Sequence, residues 1–186
     1  MNSFDLPIFN VIHAPAGRWF LLDWLAIIIA VYLAYLLVII FFVLLAKEKN
    51  KKKRAYAFAW AALSAIISRG IIAEAIHFFY HRARPFAALG IEPVFNPVGA
   101  VSFPSGNMTF YAILIAPVWY LNRKWGVIYL LSVIAMGVAR IYGAAHWPTD
   151  IIGGLAIAFA VSYGVKYILF GYAAKNGEDG KMEQDA

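Results

Sequence analysis

Three short polar clusters interrupt an otherwise apolar chain and hold most of its residues of chemical interest. They contain His77, Arg82 and Arg84-Pro85 in the first cluster, Ser105-Gly106-Asn107 in the second, and Arg140, His146 and Asp150 in the third. Taken singly, each cluster has an ordinary structural interpretation, as an interfacial anchor, a helix cap or the first turn of a helix. Taken together, they offer arginines, a helix N-terminus and a histidine–carboxylate pair.

This combination suits phosphoryl transfer. The reaction needs fixed positive charge around the equatorial phosphate oxygens and an attacking group in line with the leaving oxygen. Arg84 and Arg140 can each clamp two oxygens with a rigidity that lysine lacks. Ser105, with the backbone N–H groups of Gly106 and Asn107 at the start of a predicted helix, offers an anion site.

His146 is the candidate nucleophile. In its neutral form it can attack phosphorus, and a hydrogen bond from its other ring nitrogen to Asp150 would set the tautomer and stabilise the developing positive charge. No acidic cluster or histidine pair suggests a metal site, so we expect chemistry without a metal ion or other cofactor. The chain has no cysteine, which excludes thiolate ligands and disulfides.

Composition and apolar runs predict a polytopic, all-α membrane bundle. Of the 186 residues, 63% are hydrophobic and only 14% are charged, unlike soluble domains. Five transmembrane helices are predicted, at about 21–46, 55–80, 106–121, 125–142 and 148–172. The third is marginal, because a crossing needs about 20 residues. A short interfacial helix is expected from about Phe4 to His13.

Charge predicts the orientation of the bundle. The net charge of +6 is concentrated in one run, Lys47 to Arg54, which the positive-inside rule places in the cytoplasm. The three polar clusters then face outside. Residues 1–175 are expected to form one membrane domain, and 176–186 a polar, disordered cytoplasmic tail. Nucleic acid is a poor candidate partner, because the basic run lacks interleaved aromatic residues.

The clusters also resemble a known family. Arg84-Pro85, then Pro104-Ser105-Gly106, then Arg140 with His146 and Asp150 at offsets of six and ten, resemble the three-part signature of the type 2 phosphatidic acid phosphatase family. The likeness covers residues 77–150. It implies a helical-bundle lipid phosphatase whose phosphate-binding residues are Arg84, Arg140 and Ser105, whose nucleophile is His146, and whose orienting carboxylate is Asp150.

The chain is also similar to the small bacterial undecaprenyl-diphosphate phosphatases. That resemblance makes undecaprenyl diphosphate the leading substrate and the bacterial inner membrane the expected location, with the site facing outside. Two residues depart from the family pattern. His77 stands where a lysine is usual, with Arg82 able to supply the missing charge, and Asn107 stands where the family has the histidine that protonates the leaving group.

Asn107 narrows the substrate choice. An asparagine cannot deliver a proton, and general acid catalysis typically contributes about 10²–10⁴-fold. An alkoxide leaving group has a conjugate-acid pKa of about 16, by analogy with water, and needs that proton. A lipid phosphate that leaves from a diphosphate has a pKa of about 6, so it can depart without that proton. We therefore expect a diphosphate substrate, or else an impaired enzyme.

Other functions stay open at this point. One is a lipid phosphatase acting on phosphatidylglycerophosphate, phosphatidate or lipid A. Another is a non-catalytic binder of lipid phosphate that keeps the pocket, and a transporter is a third, which the lack of repeats disfavours. Within the second span, Arg69 and Glu74 are expected to form an ion pair. The loop from Ala87 to Val101 is either a lid or an ordinary loop.

Overall fold

A computed structural model describes residues 3–97 and 99–175, so the predicted tail at 176–186 lies outside the described residues. Seven helices are present in this part of the chain. They are α1 (Asp5–His13), α2 (Phe20–Lys47), α3 (Lys51–Phe79), α4 (Pro85–Leu89), α5 (Gly106–Leu121), α6 (Arg123–Tyr142) and α7 (Pro148–Lys175). Extended chain is paired in these residues only at an isolated bridge between Ala83 and Val101.

Four helices are long and apolar enough to cross a membrane: α2, α3, α6 and residues Pro148–Gly171 of α7. The third predicted span, α5, is apolar but shorter, and it contains a 3₁₀ turn at Ala112–Leu114. At 1.5 Å per residue its helix is about 24 Å long, less than the hydrocarbon thickness of about 30 Å. The prediction of an all-α membrane bundle is confirmed.

The outer surface of the bundle is apolar. Ile39, Leu131 and Ile168 are among many large hydrophobic side chains that lie exposed, as expected where the surrounding medium is lipid rather than water. The interior is filled by residues such as Met108 and Val133. The protein is therefore an integral membrane protein whose core and lipid face are both apolar.

Asparagine caps start two of the long helices. The side chain of Asn50 accepts hydrogen bonds from Lys52 N (3.0 Å) and Lys53 N (3.1 Å) at the start of α3, and Asn122 accepts one from Trp125 N at the start of α6. Both caps belong to the basic end of the bundle. Because α3 and α6 run away from it, the three polar clusters meet at the opposite end.

Two helices depart from α geometry beside those clusters. Ile28–Tyr32 of α2 and Ile66–Ala73 of α3 are π-helical, a distortion that is frequent at functional sites.

Helix α7 approaches α5 closely at Gly154. A Cβ there would lie 2.7 Å from Met108 Cβ and 2.9 Å from the Ser105 carbonyl oxygen, so glycine permits this helix contact.

Candidate active site

A cavity of about 720 Å³ lies at the end of the bundle opposite the basic loop. Its walls include residues of all three sequence clusters, namely His77, Arg84, Gly106, Asn107, Arg140 and His146. Positions up to 69 residues apart in the chain thus face one space. Two tyrosines and several apolar residues from α2 and α5 complete the wall, among them Ala34 and Phe110.

His146 lies in the turn between α6 and α7 and is only 2% exposed. Its Nδ1 is 3.0 Å from the carbonyl oxygen of Ser102. Since a carbonyl oxygen only accepts, Nδ1 carries the proton and Nε2 holds the lone pair. Burial, together with the charges of Arg140 and Arg84, lowers the pKa of His146 from 6.5 to about 4, although the nearby Asp150 carboxylate opposes the shift. The ring is therefore neutral at neutral pH, as a nucleophile must be.

Asp150 does not make the predicted hydrogen bond to His146. Its Oδ2 is 3.7 Å from Nδ1, and the Ser102 carbonyl takes that position instead. Oδ2 accepts hydrogen bonds from Trp147 N at 2.7 Å and from Ser102 Oγ. Asp150 thus orients the imidazole through its neighbours, while its charge remains close enough to stabilise a cationic ring.

Arg84 is held by two backbone carbonyls. Its Nε donates to the Gly99 oxygen at 2.9 Å and its Nη1 to the Ala145 oxygen at 2.9 Å. The same Nη1 lies 3.2 Å from His146 Nε2. Burial lowers the pKa of Arg84, and the charge of Asp150 opposes that shift. A guanidinium thus lies directly beside the ring nitrogen that is predicted to be the nucleophile.

Arg140 is fixed from three sides. Its Nη1 donates to the carbonyl oxygen of Ala30, in the π-helical part of α2, at 3.0 Å, and its guanidinium lies 5.8 Å from the ring centre of Phe95. Because a guanidinium only donates, the amide of Asn107 must face it with its oxygen. In that orientation the oxygen accepts from Arg140 Nη2 at 2.7 Å. Asn107 therefore orients Arg140, which is a predicted phosphate ligand.

The start of α5 fits an anion. Ser105 Oγ is buried and has no hydrogen-bond partner within the described part of the chain, but Ser105 is not among the residues that line the cavity. Gly106 and Asn107 begin the helix, so their N–H groups have no acceptor within it. Ser105 N donates to the carbonyl oxygen of Asp150 at 3.1 Å, which ties this anion site to the start of α7.

The two remaining predicted phosphate ligands differ in their placement. His77 lines the cavity and its Nε2 donates to the Pro104 oxygen at 2.9 Å. Arg82 faces away, toward a surface pocket that it shares with Thr149. Its Nη1 donates to Asp150 Oδ1 at 2.7 Å and its Nη2 to Asp5 Oδ2 at 2.5 Å. Two carboxylates thus engage the guanidinium of Arg82 outside the cavity, and its role in phosphate binding stays a prediction.

Sequence reasoning missed three residues of the site. Ser102 stands in the Ser-Phe-Pro-Ser segment of the second cluster, but no sequence pattern predicts that its backbone carbonyl accepts a hydrogen bond from His146. Phe95 belongs to the Ala87–Val101 loop, for which the sequence allows either a lid or an ordinary loop. Its ring covers the guanidinium of Arg140. Asp5 is fully buried against Thr149, and no pattern near the N-terminus indicates this contact.

The second span carries the expected ion pair. Arg69 Nη1 donates to Glu74 Oε1, and both side chains line the cavity. Arg69 also covers the start of α5, since a Cβ on Gly106 would lie 2.9 Å from its Nε. Across residues 3–97 and 99–175, no group of three or more His, Asp or Glu side chains is arranged to hold a metal ion.

Related sequences are consistent with this geometry. The chain is 25% identical over 158 residues to undecaprenyl-diphosphatase BcrC of Bacillus subtilis, covering 84% of this chain and 79% of that protein. It is 25% identical over 146 residues to the lipid A 1-phosphatase of Rhizobium etli, covering 73% of this chain and 63% of the relative.

Solved structures show the same fold. LpxE of Aquifex aeolicus superposes with a TM-score of 0.69 at 24% identity, covering 89% of this chain and 96% of LpxE. A PAP2-type phosphatidylglycerolphosphate phosphatase of Bacillus subtilis superposes with a TM-score of 0.59 at 20% identity, covering 91% of this chain and 86% of that one. The sequence profile of the PAP2 superfamily matches residues 58–173, and this chain therefore belongs to the PAP2 superfamily.

Proposed function

We propose that this protein is a lipid diphosphate phosphatase that works through a phosphohistidine at His146. The observation that carries the proposal is the contact between Arg84 Nη1 and the lone pair of His146 Nε2, at 3.2 Å inside a cavity shared with Arg140. A phosphate bound by both guanidinium groups would present its phosphorus to Nε2 at close range.

The first chemical step forms a bond from His146 Nε2 to phosphorus and breaks the bond to the leaving oxygen. The ring becomes cationic, and its Nδ1–H remains bonded to the Ser102 carbonyl. The carboxylate of Asp150, 3.7 Å from Nδ1, compensates that charge. Arg84 and Arg140 stabilise the charge on the transferring oxygens, so the scheme uses arginines where other phosphatases use metal ions.

The second step hydrolyses the phosphohistidine. A water oxygen attacks phosphorus, the P–N bond breaks, and its electron pair returns to Nε2, which releases inorganic phosphate and restores the neutral imidazole. The displaced proton of water leaves with phosphate or to solvent. Hydrolysis therefore regenerates the starting enzyme without a cofactor.

The environment of Asn107 favours a diphosphate substrate. Its amide oxygen is committed to Arg140, and an amide has no proton to give a leaving alkoxide. A lipid phosphate leaving group needs none, since its pKa is about 6. The relative named undecaprenyl-diphosphatase is similar over most of this chain, so we propose undecaprenyl diphosphate as the substrate and undecaprenyl phosphate as the lipid product.

Membrane orientation is part of the same proposal. The Lys47–Arg54 run and the turn at Arg123 belong to the end of the bundle opposite the cavity. By the positive-inside rule the cavity then opens at the extracytoplasmic face, in the bacterial inner membrane. The apolar wall formed by Ala34 and Phe110 suits the prenyl chain.

Phosphate release from purified protein in detergent, with a chelator present, tests the proposal. We expect release from a prenyl diphosphate to exceed release from phosphatidate, phosphatidylglycerophosphate and lipid A. His146→Gln should abolish turnover while leaving the protein monodisperse. Preference for one of the other lipids would support a phosphatase of different specificity, and binding of lipid phosphate without any turnover would support the non-catalytic alternative.

A further inference from the structure

The N-terminal helix α1 contacts the catalytic turn at three points along one face. Asp5, Phe9 and His13 are spaced four residues apart and so lie on one side of the helix. Asp5 accepts hydrogen bonds from Thr149 N (2.9 Å) and Thr149 Oγ1 (2.8 Å). Phe9 packs on Trp147 with ring centres 5.3 Å apart. His13 Nδ1 donates to the backbone carbonyl oxygen of Tyr142 at 2.7 Å. The helix therefore spans both ends of the segment that carries His146.

Asp5 also connects to the site through Arg82. The carboxylate is fully buried and accepts from Arg82 Nη2 at 2.5 Å, while Arg82 Nη1 donates to Asp150 Oδ1 at 2.7 Å. Burial raises the pKa of Asp5, but hydrogen bonds from Thr149 and Arg82 outweigh it and hold the pKa below its ordinary value. One guanidinium thus bridges the side chains of Asp5 and Asp150.

We propose that Asp5 is a positioning residue for the nucleophile, acting through Arg82 and Asp150. The second oxygen of Asp150 accepts from Ser102 Oγ and Trp147 N, and the Ser102 carbonyl holds His146 Nδ1. Loss of the Asp5 carboxylate frees one half of Arg82 and weakens the restraint on Asp150. This inference rests on the proposed role of His146 as nucleophile.

Phosphate binding depends on different contacts. Arg84 is held by Gly99 and Ala145, and Arg140 by Ala30 and Asn107. None of these partners belongs to α1. The loss of Asp5 should therefore misalign the imidazole for in-line attack while leaving the capture of a phosphate anion intact.

Two anions separate these effects in purified full-length protein. Inorganic phosphate needs only the arginines and the helix start, whereas vanadate, as a transition-state analogue, also needs an aligned Nε2. For Asp5→Asn we expect vanadate affinity to fall about tenfold or more, with phosphate affinity changed by less than about twofold. The kcat per vanadate-titrated site should fall about as much, with KM little changed.

Asp23→Asn is the matched control. It makes the same chemical change on the next helix, where Asp23 Oδ1 accepts from Tyr142 Oη at 2.6 Å and from Gly17 N at 3.2 Å without contacting Arg82. We expect unchanged affinities for both anions. Arg82→Lys keeps the charge but not the two-armed bridge, so it should reproduce the vanadate-selective loss even if Asp5→Asn does not fold. The double variant Asp5→Asn/Arg82→Lys should bind vanadate only slightly more weakly than the single variant that has the lower vanadate affinity, because both changes break the same bridge.

Equal weakening of phosphate and vanadate in Asp5→Asn, or no weakening of either, would overturn the positioning role. A vanadate-selective loss in Asp23→Asn would also overturn it, because any carboxylate near the turn would then suffice. The anion measurements need no turnover. Wild-type protein that binds vanadate yet releases phosphate from no lipid would contradict the proposed phosphatase activity and still leave the test of Asp5 readable.

Discussion

The carbonyl oxygen of Ser102 lies 3.0 Å from Nδ1 of His146 and accepts a hydrogen bond from its N–H group. This contact determines the tautomer of the proposed nucleophile and directs the lone pair of Nε2 toward Arg84. A backbone acceptor carries no charge, so it orients the ring without raising its basicity as strongly as a directly bonded carboxylate would. The neutral ring is thereby available over a wide pH range.

The first prediction is that the imidazole of His146 titrates at a lower pH than an ordinary histidine. Burial lowers its pKa to about 4, so the imidazole should stay neutral until the pH falls toward that value. The chain has four histidines, and NMR of histidine-labelled protein in detergent can assign the resonance that His146→Gln removes. We expect it to titrate with a midpoint near 4, and a midpoint near 6.5 would contradict the buried, neutral ring.

The same shift predicts how stability depends on pH. Between about pH 4 and 6.5, the unfolded chain binds a proton at His146 that the folded protein excludes. Stability from this group therefore rises with pH across that window and is lost on acidification. Thermal melts of wild type should show a steeper loss between pH 6.5 and 4.5 than melts of His146→Gln, which lacks the titrating group.

Asn107→His tests the leaving-group argument. A histidine at the start of α5 could donate a proton, and general acids typically contribute about 10²–10⁴-fold. We expect a large gain with phosphatidate and little gain with prenyl diphosphate, measured as kcat/KM for phosphate release. Asn107→Ala is the control, since it removes the partner of Arg140 without adding an acid, and it should slow both substrates alike. Equal gains on both substrates in Asn107→His would remove the argument.

Arg140→Lys should separate charge from geometry. Lysine keeps the positive charge but cannot contact Ala30 and Asn107 and also present two donors to phosphate. Because losing one preorganised donor typically costs about 10²–10³-fold in kcat, we expect kcat/KM to fall by about 10²-fold. Arg54→Lys makes the same exchange at an exposed position in the basic end of α3 and should leave activity unchanged. Near-normal activity of Arg140→Lys would show that charge alone suffices.

Gly154→Ala should disturb the contact between α7 and α5. The added methyl group would lie 2.9 Å from the Ser105 oxygen and 2.7 Å from Met108 Cβ, so the helices must separate. Overpacking of this kind costs about 1–3 kcal/mol, and it moves the anion site away from His146. We expect a lower melting temperature together with reduced kcat. Gly164→Ala, in the same helix, meets no atom within 4 Å, and its melting temperature and kcat should match wild type.

The sequence alone determined the elements and the composition of the site. Apolar runs predicted the membrane helices, because a crossing imposes a length and a hydropathy that any chain must show. The short run of α5 was marginal by the same rule, and α5 is the helix that proves shorter than a full span. Arg84, Arg140 and His146 could be selected as site residues because each stands beside a predicted helix end, and the fold brings all three to one cavity.

Only the tertiary structure decided which groups these residues contact. Ser102, 44 positions from His146, provides the acceptor expected from Asp150. Arg82 pairs with Asp5 and Asp150. Asp5 reaches Thr149 across 144 positions. Periodicity and helix caps are local properties that neighbouring residues reveal, whereas a hydrogen bond depends on distances of a few tenths of an ångström between segments that meet only when the bundle packs.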